Sequence, residues 1–166
     1  MITAITFGAY DLFHIGHLNL LRNARAQCDT LVVGVASAER ILKYKNKRPI
    51  FPDRERLEIL RSCRYVDDVF LNADDPSSLE SYAKWCRRFG ASRIFVGSDW
   101  QGTEKYEQIG AFLLKELDCE LIYLPHTGGI STTDIIKRIL DTGRQIGTSE
   151  SIPLSPPNED AERHVA

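Results

Sequence analysis

Two of the chain's four histidines, His14 and His17, stand in one short stretch, Gly8-Ala9-Tyr10-Asp11-Leu12-Phe13-His14-Ile15-Gly16-His17. Three residues apart at a helix start, both imidazoles can point to one side, and Gly16 between them lets an anion approach the backbone. An apolar strand precedes the stretch and a helical pattern follows it. Free backbone N–H groups and the positive end of a helix would then face the same space, which suits a phosphate. The same spacing fits a metal pair or two satisfied structural imidazoles. Their concentration at a strand-to-helix switch favours a functional site.

Three further groupings could do related chemistry. Lys43-Tyr44-Lys45-Asn46-Lys47-Arg48 is a cationic run that reads either as a solvated face or as a set of phosphate contacts. Gly97-Ser98-Asp99-Trp100 ends an apolar run, where a glycine lets a base lie against the backbone and Asp99 can accept hydrogen bonds. Trp100 there reads equally as an aromatic at the edge of the core. Pro125-His126-Thr127-Gly128-Gly129-Ile130-Ser131-Thr132-Thr133-Asp134 opens a helical pattern, with Ser131 and Thr132 as cap residues or as hydroxyls turned on an anion. Neither G-x-G-x-x-G nor a Walker loop occurs, which argues against a dinucleotide-dependent dehydrogenase and a P-loop enzyme.

The elements that must position these residues follow from periodicity. Apolar, β-branched runs at Thr3–Phe7, Leu31–Ala36, Val69–Leu71, Ile94–Val96 and Leu121–Leu124 predict strands. Apolar residues at three- and four-residue intervals predict helices over Leu18–Ala26, Arg54–Cys63, Leu79–Phe89, Glu107–Leu117 and Thr133–Leu140. Strict alternation of strands apolar throughout with helices predicts an α/β fold: a doubly wound, five-stranded parallel sheet with helices on both faces and right-handed crossovers. Ligand then binds at the carboxyl ends of the strands. Ser77 or Ser78 is placed to cap the third helix, Gly90 to end it and Gly143 to end the last. Residues 1–143 are expected to form one domain. Residues 144–166, polar and rich in Pro, Ser and Glu, are expected to be a disordered tail.

Composition narrows the function. With 166 residues, 43% hydrophobic and 27% charged, the chain suits one domain with a sizeable core. A net charge of −2 gives no global field to hold nucleic acid or an anionic membrane, so any anion site must be built locally. No apolar run approaches a membrane span and the first residues lack a signal-peptide pattern, so a cytoplasmic location is expected. Cys28, Cys63, Cys86 and Cys119 form no C-x-x-C pair and read as reduced, space-filling thiols.

Four segments of the chain also carry a resemblance. His14-Ile15-Gly16-His17, Arg64-Tyr65-Val66-Asp67-Asp68-Val69, Gly97-Ser98-Asp99-Trp100 and Gly129-Ile130-Ser131-Thr132-Thr133 stand in the order found in the HxGH nucleotidyltransferases. Over Ile5 to Leu140 the chain resembles their cytidylyltransferase branch, which includes the glycerol-3-phosphate enzymes. Class I aminoacyl-tRNA synthetases share HxGH, but this length cannot hold their domains. The resemblance implies in-line attack of a substrate phosphate oxygen on the α-phosphorus of CTP, with Mg²⁺ held mainly by the nucleotide's phosphates and no metal ligands from the protein. It implies catalytic roles for His14, His17, Lys45 and Lys47, with Lys43 as an alternative within that run. Nucleotide contacts fall on Gly8, Ala9, Tyr10, Gly16, Gly97, Asp99, Trp100, His126, Gly129, Ile130, Ser131 and Thr132. Asp11 and Arg64 are expected to bind the acceptor, a small phosphorylated alcohol, and Arg64 to border a homodimer interface.

Two departures stand out. The family's Gly-Thr-Phe-Asp is Gly8-Ala9-Tyr10-Asp11 here, so a hydroxyl is missing while the Ala9 amide remains. The family's Arg-Thr-Glu-Gly-Ile-Ser-Thr is His126-Thr127-Gly128-Gly129-Ile130-Ser131-Thr132, which exchanges a bidentate guanidinium for an imidazole. An adenylyltransferase of the FAD synthetase or ADP-heptose type, or a non-catalytic nucleotide-binding module, are the competing readings.

Overall fold

The computed structural model describes residues 1–146. Five strands, β1 (Thr3–Gly8), β2 (Thr30–Ala36), β3 (Asp68–Asn72), β4 (Arg93–Gly97) and β5 (Glu120–Leu124), form one sheet in the order β3-β2-β1-β4-β5. Every neighbouring pair is parallel, with Ile5 between Val32 and Ile94 at the centre. The central strands are buried on both faces because Leu31, Val32, Val33 and Val35 offer apolar side chains to each. This is the doubly wound α/β sheet expected of the sequence.

Six helices cover it: α1 (Ile15–Arg25), α2 (Ala38–Lys45), α3 (Asp53–Arg61), α4 (Leu79–Phe89), α5 (Glu104–Leu117) and α6 (Thr132–Ile146). Leu21 and Ala24 of α1 and Leu60 of α3 join Val33, Val35 and Phe95 in the core on one face. Tyr82, Trp85 and Cys86 of α4 with Ile109 and Leu113 of α5 pack on Ile5, Val32 and Ile94 on the other. Ser78 accepts from the Ser81 amide and so caps α4, whose end Gly90 closes in the left-handed region. Buried Cys86 and Cys119 meet there, sulfur to sulfur at 3.8 Å, and all four thiols are free.

The structure differs from the periodicity in two places. Residues 38–45, expected as part of a loop, form α2, capped by Ser37, which accepts from the Arg40 amide. Its only buried residue is Ile41, so it lacks the apolar stripe that would have revealed it. Gly143 lies inside α6, which runs to Ile146, so the last helix does not stop at 143. The expected tail beyond that helix lies outside the described residues. Because β1 sits between β2 and β4, successive crossovers leave it in opposite directions, and a crevice opens at the carboxyl ends of β1 and β4.

Candidate active site

The β1–α1 loop rises into that crevice and is held under backbone strain. Tyr10 and Leu12 are non-glycine residues in the left-handed region, at φ 52° and 44°. Tyr10 tolerates this because its ring is buried in the core and its hydroxyl meets Thr6 Oγ1 at 3.5 Å. Burial pushes that phenol upward. The expected nucleotide contact at Tyr10 is therefore limited to its backbone. Asp11 is buried as well, and its carboxylate accepts from the amides of Leu12, Ile50 and Phe51 at 3.1, 2.8 and 2.9 Å. Its observed work is to tie the segment after α2 to the histidine loop.

His14 caps α1 with its own side chain: Nδ1 accepts from the Gly16 amide at 3.1 Å. An accepting Nδ1 places the ring proton on Nε2, where it is free to be donated to a ligand oxygen. The ring folds so closely over Gly16 that a Cβ there would lie 2.9 Å from Cε1, so any side chain at that position would push the His14 ring out of its capping place. His17 stacks on His14 at 3.8 Å between ring centroids and packs against Tyr10 and Phe13. Its Nδ1 is buried without a partner among the described residues. Burial, then the neighbouring His14, drives the His17 imidazole down to about 3, and burial also lowers His14. Both rings are neutral hydrogen-bonding groups at physiological pH.

The loop before α6 docks on this pair. Ile130 touches the Gly16 position, Thr132 Oγ1 donates to the Asp11 carbonyl at 2.9 Å, and Asn19 of α1 donates to Thr127 Oγ1. Ser131 exchanges hydrogen bonds with Asp134 as the helix cap. Both hydroxyls are thus engaged locally, while the first-turn amides of α6 face the crevice. Gly129 bends the loop at φ 76°. On the third side, Ser98 Oγ accepts from the His126 amide and Asp99 Oδ1 lies 3.7 Å from His126 Nδ1. The Asp99 carboxylate folds back over Gly97, so a side chain at that position would have to turn it aside. Trp100 is 43% exposed and pairs with Tyr106.

Lys45 belongs to the last turn of α2 and Lys47 lies just past its left-handed cap, Asn46. Desolvation, then the charges of Lys47 and Arg40, lowers Lys45 below a lysine's ordinary value, while Asp99 opposes the shift. Lys45 therefore stands within charge range of Asp99 on the turn after β4. Arg64 precedes β3, at the amino-terminal edge of the sheet where Asp67 accepts from the Leu31 amide and pairs with Arg25. Contact between Arg64 and the substrate of its own chain is thus corrected by topology.

Arg56 is a residue that sequence reasoning missed. Fully buried, it donates to the carbonyls of Ala9, Ala36 and Phe51 at 2.6, 2.7 and 3.1 Å and pairs with Asp53. One guanidinium thus joins the histidine loop, the end of β2 and the segment after α2. Its sequence signal is an arginine one residue before Leu57 on the apolar side of α3. Among the described residues no three His, Cys, Asp or Glu side chains converge on a point. With Asp11 bonded to amides, the donor set does not fit a magnesium ion caged by the protein.

The family model described as Cytidylyltransferase-like matches residues 5–138. Glycerol-3-phosphate cytidylyltransferase of Staphylococcus aureus is 36% identical over 135 residues, covering 81% of this chain and 92% of that protein. FAD synthase of Pyrococcus abyssi is 35% identical over 145 residues, covering 84% and 93%. Among solved structures, a lipopolysaccharide core biosynthesis protein from Thermoplasma volcanium superposes with a TM-score of 0.59 at 24% identity, covering 76% of this chain and 97% of that one. That superposition speaks for the fold alone. The match across nearly all of the sheet, with stacked neutral histidines at the β1–α1 turn, makes this chain a member of the cytidylyltransferase-like family of nucleotidyltransferases.

Proposed function

We propose that the chain transfers CMP from CTP to a small phosphorylated alcohol, of the glycerol 3-phosphate kind, and releases pyrophosphate. The observation that carries this reading is the pair of neutral, stacked imidazoles between two helix N-termini at the crevice. A deprotonated phosphate oxygen of the acceptor attacks the α-phosphorus in line. The bond from that phosphorus to the bridging oxygen breaks, and its electron pair leaves on pyrophosphate. No covalent enzyme intermediate is needed, so positioning and charge stabilisation supply the rate.

His14 Nε2–H and His17 donate to phosphate oxygens as charge moves toward the leaving group. Lys45 and Lys47 draw the two anions together, which is the costliest part of assembling the complex. The amides of Gly8, Ala9 and Gly16 and the start of α6 receive the remaining oxygens, and the Gly97–Trp100 turn receives the base. Magnesium, when bound, arrives on the nucleotide's phosphates and neutralises part of their charge. Two copies pair through the edge that carries Arg64, which light scattering would read as twice the monomer mass.

The relative named FAD synthase keeps ATP as the alternative nucleotide. Pyrophosphate release with CTP and with ATP, across glycerol 3-phosphate, other polyol phosphates and FMN, separates the two. The reading expects CTP to exceed ATP in kcat/KM by about 10⁴ or more, the discrimination available to a site whose polar groups lose partners with the wrong base. Comparable values, or turnover with FMN and ATP, would replace it.

A further inference from the structure

The lysine-bearing end of α2 has little beneath it. The helix is anchored at its start, where the Ser37 amide donates to the Asn72 carbonyl at 3.0 Å and the Ala38 amide to Asp53 Oδ1 at 2.9 Å. Ile41 is its one buried residue. A cleft of about 380 Å³ opens between Arg40, Lys43 and Tyr44 of this helix and Ala73 and Asp75 of the loop that joins β3 to α4. Packing alone does not fix the last turn of α2.

One side-chain bond crosses that cleft. Tyr44 Oη donates to Asp75 Oδ1 at 2.5 Å, the one side-chain hydrogen bond that residues 43–48 make among the described residues. Its acceptor is already held in place. Asp75 Oδ1 also accepts from the Ser77 amide at 2.9 Å and from the Ser77 hydroxyl at 2.7 Å. The neighbouring Asp74 accepts from Trp85 Nε1 at 2.7 Å and from Lys84 Nζ at 3.0 Å, which pins the loop to α4. The bond from Tyr44 above all, then those from Ser77, hold the Asp75 carboxyl below its usual range, so the contact is charge-assisted. Tyr44 is joined directly to Lys45, and Lys47 follows the left-handed cap at Asn46. The place where the phenol is tied therefore sets where both ammonium groups start from.

We propose that Tyr44 is a positioning residue: by donating to Asp75 across the cleft, it holds the end of α2 that carries Lys45 and Lys47 in place for the nucleotide's anions. This rests on the nucleotidyl-transfer reading above and adds the group that sets its lysines. Losing the bond removes neither lysine, but it frees the last turn of α2 to swing, so the anions meet the same charges less often.

The test measures kcat/KM for CTP with glycerol 3-phosphate in wild type, Tyr44→Phe, Asp75→Ala and their double variant. Tyr44→Phe is then repeated in a chain that already carries Lys45→Ala and Lys47→Ala. Each single variant should lower kcat/KM by about three- to tenfold, the contribution of one such hydrogen bond. The double variant should fall no further than Asp75→Ala, because the two residues share one bond, and Tyr44→Phe should change nothing once the lysines are gone. Wild-type kinetics in Tyr44→Phe, additive losses in the double variant, or a loss that persists without the lysines would overturn the proposal.

If wild type turns over no CTP, the transfer reading fails separately, and limited trypsin digestion of the ligand-free chains decides whether Tyr44 holds the helix end. Cleavage after Lys45 and Lys47 follows how often that end opens. Cleavage about three- to tenfold faster in both Tyr44→Phe and Asp75→Ala supports the tether, and a wild-type rate in either overturns it.

Discussion

The histidine loop and the lysine run face the same crevice and are built in opposite ways. Strain at Tyr10 and Leu12, the His14 cap, the Asp11 and Arg56 bonds and the docked α6 loop leave the histidine loop one conformation. Lys45 and Lys47 stand at and just past the end of α2, exposed and with no ion pair among the described residues. The rigid half is suited to charge that appears only in the transition state, where a donor already in place costs no reorganisation. The loose half is suited to gathering anions, where charge matters more than angle.

The largest effect expected from breaking this contrast comes from the rigid half. His17→Ala should lower kcat by about 10²–10³, the usual loss for one preorganised donor, with a native circular dichroism spectrum. A fall of less than about tenfold, roughly 1.4 kcal/mol, would assign the rate to other groups. Arg56→Met should cost about 3–5 kcal/mol of stability in denaturant unfolding, because it leaves Asp53 and three carbonyls without their buried partner. A midpoint within error of wild type would show that the three segments hold together without it.

On the loose side, Lys45→Ala with Lys47→Ala should raise KM for CTP and lower turnover by about tenfold or more while leaving the melting temperature in place. Wild-type kinetics would return the run to an ordinary solvated face. Exchanging His126 for arginine should tighten CTP binding several-fold by calorimetry, since a guanidinium adds a bidentate contact of about 1 kcal/mol. The smallest effect belongs to Arg64→Ala, which should leave kcat within about twofold at a saturating dimer concentration, because that residue is at the far edge of the sheet.

The alternation of strands and helices was legible because the central strands are buried on both faces and every long helix carries an apolar stripe. α2 was not, because eight residues with one buried side chain leave no period to read. The phosphate-binding character of the histidine loop followed from residue types alone, but the work of Asp11 and Arg56 did not. Their partners are backbone groups of segments about 40 and 20 to 47 residues away, and backbone groups carry no sequence signature. Arg64 shows the converse: a motif carried over by resemblance suggested a contact that the topology of a helix-to-strand turn precludes within one chain.

The neutrality of the histidine pair also bears on acid stability. His17, lowered to about 3 in the fold, takes up its proton near pH 6.5 in the unfolded chain. Between those values the unfolded state binds more protons, so stability should fall as pH drops below about 6.5. The rate profile does not isolate the same ionisation, because a phosphomonoester acceptor titrates near pH 6 itself. The most direct measurement is therefore an NMR titration of the imidazole resonances of His14 and His17 in the ligand-free chain. His17 should remain neutral at pH 5 and His14 should titrate below 6.5. A midpoint at or above 6.5 for either ring would contradict a site built from preset neutral donors.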